Sequence, residues 1–164
     1  MAGVPRIDVG ALVAPGAGEG DRRRVAHEID AACAEHGFFT VVGHGIDATH
    51  LATLDREARI FFALPREEKA RIAMVHGGRA WRGWFGVGDE LTDGVPDRKE
   101  GLYFGAELGP DDPRVAAGTP LHGANLFPRR PAGLRAAVLA HRDQGTRLAQ
   151  AVLRAMAVGL GHGE

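Results

Sequence analysis

The chain has 164 residues, which is enough for one domain with a hydrophobic core of its own. Its 20 basic and 21 acidic residues give a formal charge of −1, so no overall field favours nucleic acid or an anionic membrane surface. The single cysteine, Cys33, excludes an intramolecular disulfide and favours a reducing, cytoplasmic setting. The N-terminus lacks the pattern of an export signal and no apolar run reaches about 18 residues, so we expect neither export nor membrane insertion.

The first third of the chain predicts a strand, a helix and a second strand. Residues 7–9 are a short strand candidate, and Asp21 is placed to cap a helix over residues 22–36. Gly37 can adopt the left-handed conformation that ends a helix. Residues 38–42 are β-branched and aromatic without alternation, which predicts a strand buried on both faces.

The rest of the chain predicts three more helices and one strand. Asp47 can cap a helix with one apolar face, and Pro65 ends that helix and begins a short one. Residues 76–96 are Gly-rich but hold two tryptophans, which is typical either of a binding loop or of an Ω-loop whose rings fill the core. Residues 99–105 predict a strand, and residues 131–159 a long helix with one apolar stripe.

The histidines offer weak candidates for a metal site. We expect His44, in a Gly-His-Gly turn, to bond to the backbone. His141 and Asp143 have the His-x-Asp spacing of iron sites, but on a helix residues i and i+2 point about 200° apart, so we expect His141 to be a satisfied core histidine. Residues 162–164 supply no third ligand. The chain contains no serine, which excludes a serine nucleophile.

Seven short motifs nevertheless occur in a recognisable order. They lie at residues 5–8, 32–39, 43–46, 58–69, 82–84, 97–100 and 118–125. This series resembles the N-terminal region of the isopenicillin N synthase-like iron(II)/2-oxoglutarate-dependent oxygenases, and the resemblance covers essentially the whole chain.

The resemblance implies an α+β fold in which residues 1–164 form helices and a few strands that pack against a C-terminal double-stranded β-helix, or jelly roll, absent from this chain. In the family the iron(II) ligands and the 2-oxoglutarate-binding arginine lie in that jelly roll. The resemblance therefore implies that a complete enzyme uses iron(II) and 2-oxoglutarate as cofactors. It also implies that this chain holds no catalytic, metal-binding or cofactor-binding residues. The expected partners are a jelly-roll domain, on the same or a separate chain, and a small-molecule substrate.

The resemblance also singles out Arg82, Trp84 and Tyr103 as substrate-binding candidates, because the loop around residues 82–84 borders the substrate pocket in related enzymes. Arg82 could hold a substrate carboxylate in a bidentate pair, or could simply stack on Trp81 or Trp84. The preferred function is the pocket-shaping N-terminal portion of an oxygenase. The alternative is a truncated product or non-catalytic module that associates with a separate chain.

Overall fold

The computed structural model describes residues 3–162. Its elements, in chain order, are β1 (Arg6–Asp8), α1 (Gly10–Val13), α2 (Glu19–His36), β2 (Thr40–Val42), α3 (Ala48–Phe62), α4 (Arg66–Ala70), a 3-10 segment (Met74–Ala80), β3 (Gly83–Phe85), β4 (Leu91–Thr92), β5 (Val95–Pro96), β6 (Gly101–Tyr103), α5 (Pro113–Ala116) and α6 (Leu134–Gly159). No helix within residues 3–162 is both long enough and apolar enough to cross a membrane.

The chain divides into two compact units. The first contains residues up to Ala48 together with Asp143 onward, and the second contains Thr49–Arg142. Helix α6 contributes residues to both units because it begins at Leu134 and ends at Gly159.

The core of the first unit forms around a parallel pair of strands. β1 pairs with β2 so that Ile7 lies opposite Val41. The apolar stripe of α2 packs here because its residues recur at helical spacing. The buried residues are Ile7, Val9, Val25, Ala26, Ile29, Ala32 and Ala155.

The two ends of α2 differ in how well the sequence predicts them. The helix ends as predicted at Gly37, whose φ of 76° is left-handed and whose N–H donates to the carbonyl of Cys33. The prediction for its start was wrong. The helix begins at Glu19 with Gly18 as N-cap, so Asp21 lies within the first turn, where the helix dipole favours an acid.

The strand after α2 is less buried than its sequence predicts. β2 covers only Thr40–Val42, and none of its residues is fully buried. Phe38 lies outside the strand with 60% of its surface exposed. The prediction of a strand covered on both faces was therefore wrong for the described residues. Among them β2 also has a partner strand, β1, at only one of its two edges.

The second unit contains two antiparallel strand pairs. β3 pairs with β6, so Trp84 lies opposite Leu102, and β4 pairs with β5. The β4–β5 hairpin was not predicted, although Asp93-Gly94, with φ of 52° and 80°, is a typical two-residue hairpin turn. The core consists of Phe61, Ile72, Trp84, Leu134 and Val138.

Candidate functional site

The second unit contains an apolar groove of about 350 Å³. We define the apolar groove by its lining residues, which come from α3, from β6 and the residue after it, and from the first turns of α6: Leu54, Ala58, Phe61, Phe62, Leu102, Phe104, Leu134, Val138, His141 and Arg142. Its size and lining suit the body of a small organic molecule, because such sites are mostly apolar with few polar groups. The polar groups of this lining are the side chains of His141 and Arg142.

Arg82 is not a lining residue of the apolar groove, but it lies beside the edge that Phe104 forms. It directly precedes β3, and the β3–β6 register, continued by one residue, places it opposite Phe104. Its Nη2 donates a 2.8 Å hydrogen bond to the carbonyl of Leu121. Its Nε is buried and has no hydrogen-bond partner within residues 3–162. The Nε–H is therefore a buried donor for which the described residues supply no acceptor.

The position of the Arg82 guanidinium requires a glycine at residue 105. A Cβ atom at residue 105 would overlap the guanidinium of Arg82. The backbone of Gly105 is fixed by the side chain of Asn125, whose Oδ1 accepts from the Gly105 N–H at 2.8 Å and whose Nδ2 donates to the Gly105 carbonyl at 3.0 Å. Glu107 also accepts from the same Nδ2, at 2.6 Å. Asn125 is only 7% exposed, and its carboxamide has hydrogen-bond partners at both its oxygen and its nitrogen, as expected for a buried polar group.

The electrostatics at this edge favour an anion. Burial lowers the pKa of Arg82, and the positive charge of Arg142 lowers it further. Arg82 stays protonated at neutral pH even so, because the ordinary pKa of arginine lies far above neutrality. An anionic group between Arg82 and Arg142 would relieve their repulsion. The arrangement can therefore hold a carboxylate with its apolar body in the groove.

Trp84 lies in the core rather than at the surface. It is 4% exposed, and its Nε1 donates to Glu100 at 2.8 Å. Lys69 donates to the same carboxylate at 2.7 Å. Burial alone would raise the pKa of Glu100, but the hydrogen bonds from Lys69 and Trp84 outweigh it, so the pKa falls below its usual value. Two cations lie over the Trp84 ring, Arg66 at 5.3 Å and Lys69 at 5.6 Å from its centroid.

Tyr103 lies on the opposite face of the β3–β6 pair. Residues directly opposite each other share a face, and Tyr103 is opposite Gly83 while Trp84 is the next residue, so Trp84 and Tyr103 face away from each other. The Tyr103 hydroxyl donates to Glu90 at 2.8 Å, which raises its pKa. The structure thus places Arg82 at the groove, Trp84 in the core and Tyr103 on the other side of the sheet.

The histidines give one confirmed prediction and one correction. His44 bonds to the backbone as predicted, because its Nδ1 accepts from the N–H of Ile46 at 3.1 Å. His141 is not satisfied, since its Nδ1 is buried without a partner among the described residues. Its ring stacks on His50 with centroids 5.8 Å apart. No sequence pattern singles out His50, because its place on a helix does not indicate contact with a residue 91 positions away.

The residues present do not fit a catalytic iron. Residues 3–162 bring together no group of three or more His, Cys, Asp or Glu side chains suited to a metal. His141 and Asp143 lie on one α-helix, α6, where residues two apart point in nearly opposite directions. The motif at residues 162–164 falls partly outside the described residues.

Comparison with known proteins identifies the family. The sequence model described as "non-haem dioxygenase in morphine synthesis N-terminal" matches residues 4–130. The chain therefore belongs to the non-haem dioxygenases and matches the N-terminal region of that family.

The similar curated proteins include several oxidoreductases. A probable iron/ascorbate oxidoreductase of Dictyostelium discoideum is 40% identical over 146 residues, which cover 85% of this chain and 40% of that protein. Homoarginine-6-hydroxylase of Glycine max is 32% identical over 163 residues, covering 96% of this chain and 49% of that protein. The chain thus spans about half the length, or less, of these relatives.

Solved structures share the fold. A 2OG-Fe(II) oxygenase family protein from Caulobacter crescentus has a TM-score of 0.79 at 24% identity, covering 99% of this chain and 50% of that one. A Neurospora crassa protein solved in complex with alpha-KG has a TM-score of 0.76 at 23% identity, covering 98% and 48%. The mixture of helices and a few strands found here is therefore the fold of about half of each of these two solved chains.

Proposed function

We propose that this chain is the N-terminal, pocket-shaping portion of an iron(II)/2-oxoglutarate-dependent oxygenase that acts on a small organic substrate. Its match to the N-terminal family model and its coverage of about half of its relatives support this proposal. Iron(II) and 2-oxoglutarate would be held by a jelly-roll domain, on the same or a separate chain, and would supply the oxidising chemistry. The single cysteine, Cys33, is consistent with a cytoplasmic location.

The observation that carries the substrate part of the proposal is the apolar groove with cations at its edge. The guanidinium of Arg82 attracts the substrate carboxylate to the edge of the groove, and the apolar body lies along the groove. Trp84 supports the site indirectly. Its burial and its hydrogen bond to Glu100 hold β3 in place, and Arg82 directly precedes that strand. Tyr103 lies on the other face of the β3–β6 pair, so this proposal gives it no contact with a substrate in the groove.

A binding experiment on the purified chain tests the role of Arg82. Phenylacetate and its neutral analogue phenylethanol are titrated into the chain by calorimetry. A hydrogen bond to a charged group contributes about 1.5–3 kcal/mol, so Arg82→Gln is expected to weaken phenylacetate binding about 10- to 100-fold. Phenylethanol should bind equally to both forms.

The matched control is Arg98→Gln, because Arg98 is exposed and lines none of the cavities described. Equal loss of phenylacetate binding in the two variants would assign the effect to net charge and remove Arg82 from the site. Equal binding of the acid and the alcohol to the unsubstituted chain would do the same.

The catalytic part of the proposal has a separate test. The coding sequence after residue 164, or a gene encoding a partner chain, should contain a His-x-Asp, a later His and an Arg-x-Ser. A protein that includes them should couple substrate oxidation to consumption of 2-oxoglutarate. Turnover by residues 1–164 alone, with stoichiometric iron, would overturn the proposal.

The alternative is a truncated product or non-catalytic module that associates with a separate chain, for which the exposed β2 region offers a surface. Phe38 is 60% exposed, and β2 has one strand partner among the described residues. Such an edge is a template for pairing with another chain. Native mass spectrometry of the protein isolated from its host should then show a second polypeptide, whereas a single longer polypeptide would exclude this alternative.

A further inference from the structure

The first unit contains a second, chemically different cleft. We define the arginine cleft as two cavities of about 180 and 400 Å³ that share three lining residues, Leu12, Ala151 and Arg154. The larger volume alone falls within the usual size of ligand pockets, about 300–1,000 Å³. None of its residues belongs to the apolar groove, so the two sites are separate.

Arg22 brings a cation to this cleft. It is the first of three consecutive arginines on α2. Arg23 pairs with Glu19, and Arg24 pairs with Glu28 at 2.6 Å, each one helical turn away. Arg22 instead lines the cleft, and its Nε is buried without a hydrogen-bond partner within residues 3–162. A buried donor of this kind is rare in native structures, because most are paired with protein atoms or with ordered water.

Helix α6 supplies two further cations. Arg147 and Arg154 are seven residues apart and therefore lie on the same face, about 10 Å apart along the helix axis. Neither forms an ion pair or a side-chain hydrogen bond with another described residue. Their long side chains can converge on one group placed between them.

The remaining lining completes a donor-rich site. The Nδ1 of His44 accepts from the backbone N–H of Ile46, so in its neutral form the other ring nitrogen, Nε2, carries the proton and is a donor. No carboxylate is among the described residues that line the cleft, although Glu19 and Asp21 occur in the first turn of α2. The apolar part of the lining is Leu12, Val13, Ala26, Ile46, Leu148, Ala151, Ala155 and Val158.

From these observations we infer that the arginine cleft binds an amphipathic anion, meaning a phosphate or carboxylate head group on a small apolar body. The head group is held by Arg22, Arg147 and Arg154, and the body packs on the apolar lining. The inference does not depend on the function proposed above, because its residues are distinct from Arg82 and the apolar groove.

The test is a chemical-shift titration of the isotopically labelled chain with three probes of one shape: 1-naphthyl phosphate, 1-naphthoate and the neutral 1-naphthol. We expect saturable binding of one or both anions, with shifts at residues 12–13, 44–46 and 147–158. The stronger of the two anions identifies the head group. Naphthol that binds as tightly as both anions would overturn the proposal, and so would the absence of saturation with either anion.

Substitutions locate the site. Arg22→Gln and Arg154→Gln should each weaken anion binding about tenfold or more. Arg23→Gln is the matched control, because it removes the same charge from the next residue of the same helix, and it should change binding less than about twofold. Arg154 is exposed, so its variant keeps the test valid if Arg22→Gln fails to fold.

Two results would contradict the inference. Equal weakening by Arg22→Gln and Arg23→Gln would reduce the effect to net charge. Shifts confined to the apolar groove, together with loss of binding in Arg82→Gln, would assign the probes to the other site. Failure of the phenylacetate experiment would leave the arginine cleft untouched, so the two proposals fail independently.

Discussion

The buried pair of Lys69 and Glu100 gives the sharpest stability prediction. Lys69 is 7% exposed, and its Nζ donates to both oxygens of Glu100, at 3.0 and 2.7 Å, and to the carbonyl of Phe62 at 3.0 Å. Lys69→Met removes these bonds and leaves a carboxylate whose side chain is only 27% exposed. Breaking a buried pair in this way costs about 3–5 kcal/mol.

We expect a value near the lower end, about 3 kcal/mol, because Glu100 keeps its bond from Trp84 and some contact with water. For a chain of this size that loss lowers Tm by about 6–12 °C. The assay is urea unfolding followed by tryptophan fluorescence, with thermal unfolding as the second measurement. The double variant Lys69→Met/Glu100→Gln should recover part of the loss, because no unpaired charge then remains.

The pH dependence provides a check on the sign. The pKa of Glu100 in the folded chain lies below its ordinary value of 4.5, so its stabilising contribution is complete above pH 4.5 and is lost as pH falls through the folded pKa. In Lys69→Met the hydrogen bond and charge of Lys69 are lost, so the pKa of Glu100 rises relative to the parent chain although Arg66 and Trp84 still lower it, and acidification relieves part of the penalty. The stability difference between the two proteins should therefore narrow toward low pH. A cost below about 1 kcal/mol, or a difference that widens on acidification, would refute this reasoning.

Three further predictions follow from single positions. Gly105→Ala should displace the guanidinium that lies against it and destabilise the chain by about 1–3 kcal/mol in chemical denaturation; no change would mean that the seat is not tight. Gly37→Ala should lower the free energy of unfolding by about 1–2 kcal/mol, because the φ of residue 37 is left-handed. Gly145→Ala should raise it by about 0.5–1 kcal/mol, because residue 145 lies inside α6 with open space around it. Tyr103 is the only tyrosine, so ultraviolet titration reports it alone; its midpoint should lie above 10 and fall in Glu90→Gln, and an unmoved midpoint would contradict the contact.

The sequence predicted the helices better than the strands for a physical reason. Helical periodicity is local, so the apolar stripe of α6 and the glycine that ends α2 were both visible in short windows. The strands are two or three residues long, too short for a reliable alternation pattern. The β4–β5 hairpin had a local signal in Asp93-Gly94, but that turn lay within a Gly-rich stretch interpreted as loop.

The candidate site could be predicted only in part. The family resemblance singled out Arg82 before its surroundings were known. Its seat on Gly105 and its bond to the Leu121 carbonyl join residues 23 and 39 positions away, and no local pattern encodes such contacts. The same is true of Lys69 and Glu100, which are 31 positions apart.

The side chain of Asn125 has a consequence beyond its own hydrogen bonds. Its carboxamide offers Gly105 one donor and one acceptor in the arrangement of a peptide group, and so replaces a neighbouring strand at that point. The proline-containing segment around Asn125 therefore does not have to form a strand in order to pair with Gly105. Because the guanidinium of Arg82 lies against Gly105, a substitution at residue 125 would change the orientation of that cation through the backbone of Gly105, and with it the acid-binding role proposed for Arg82.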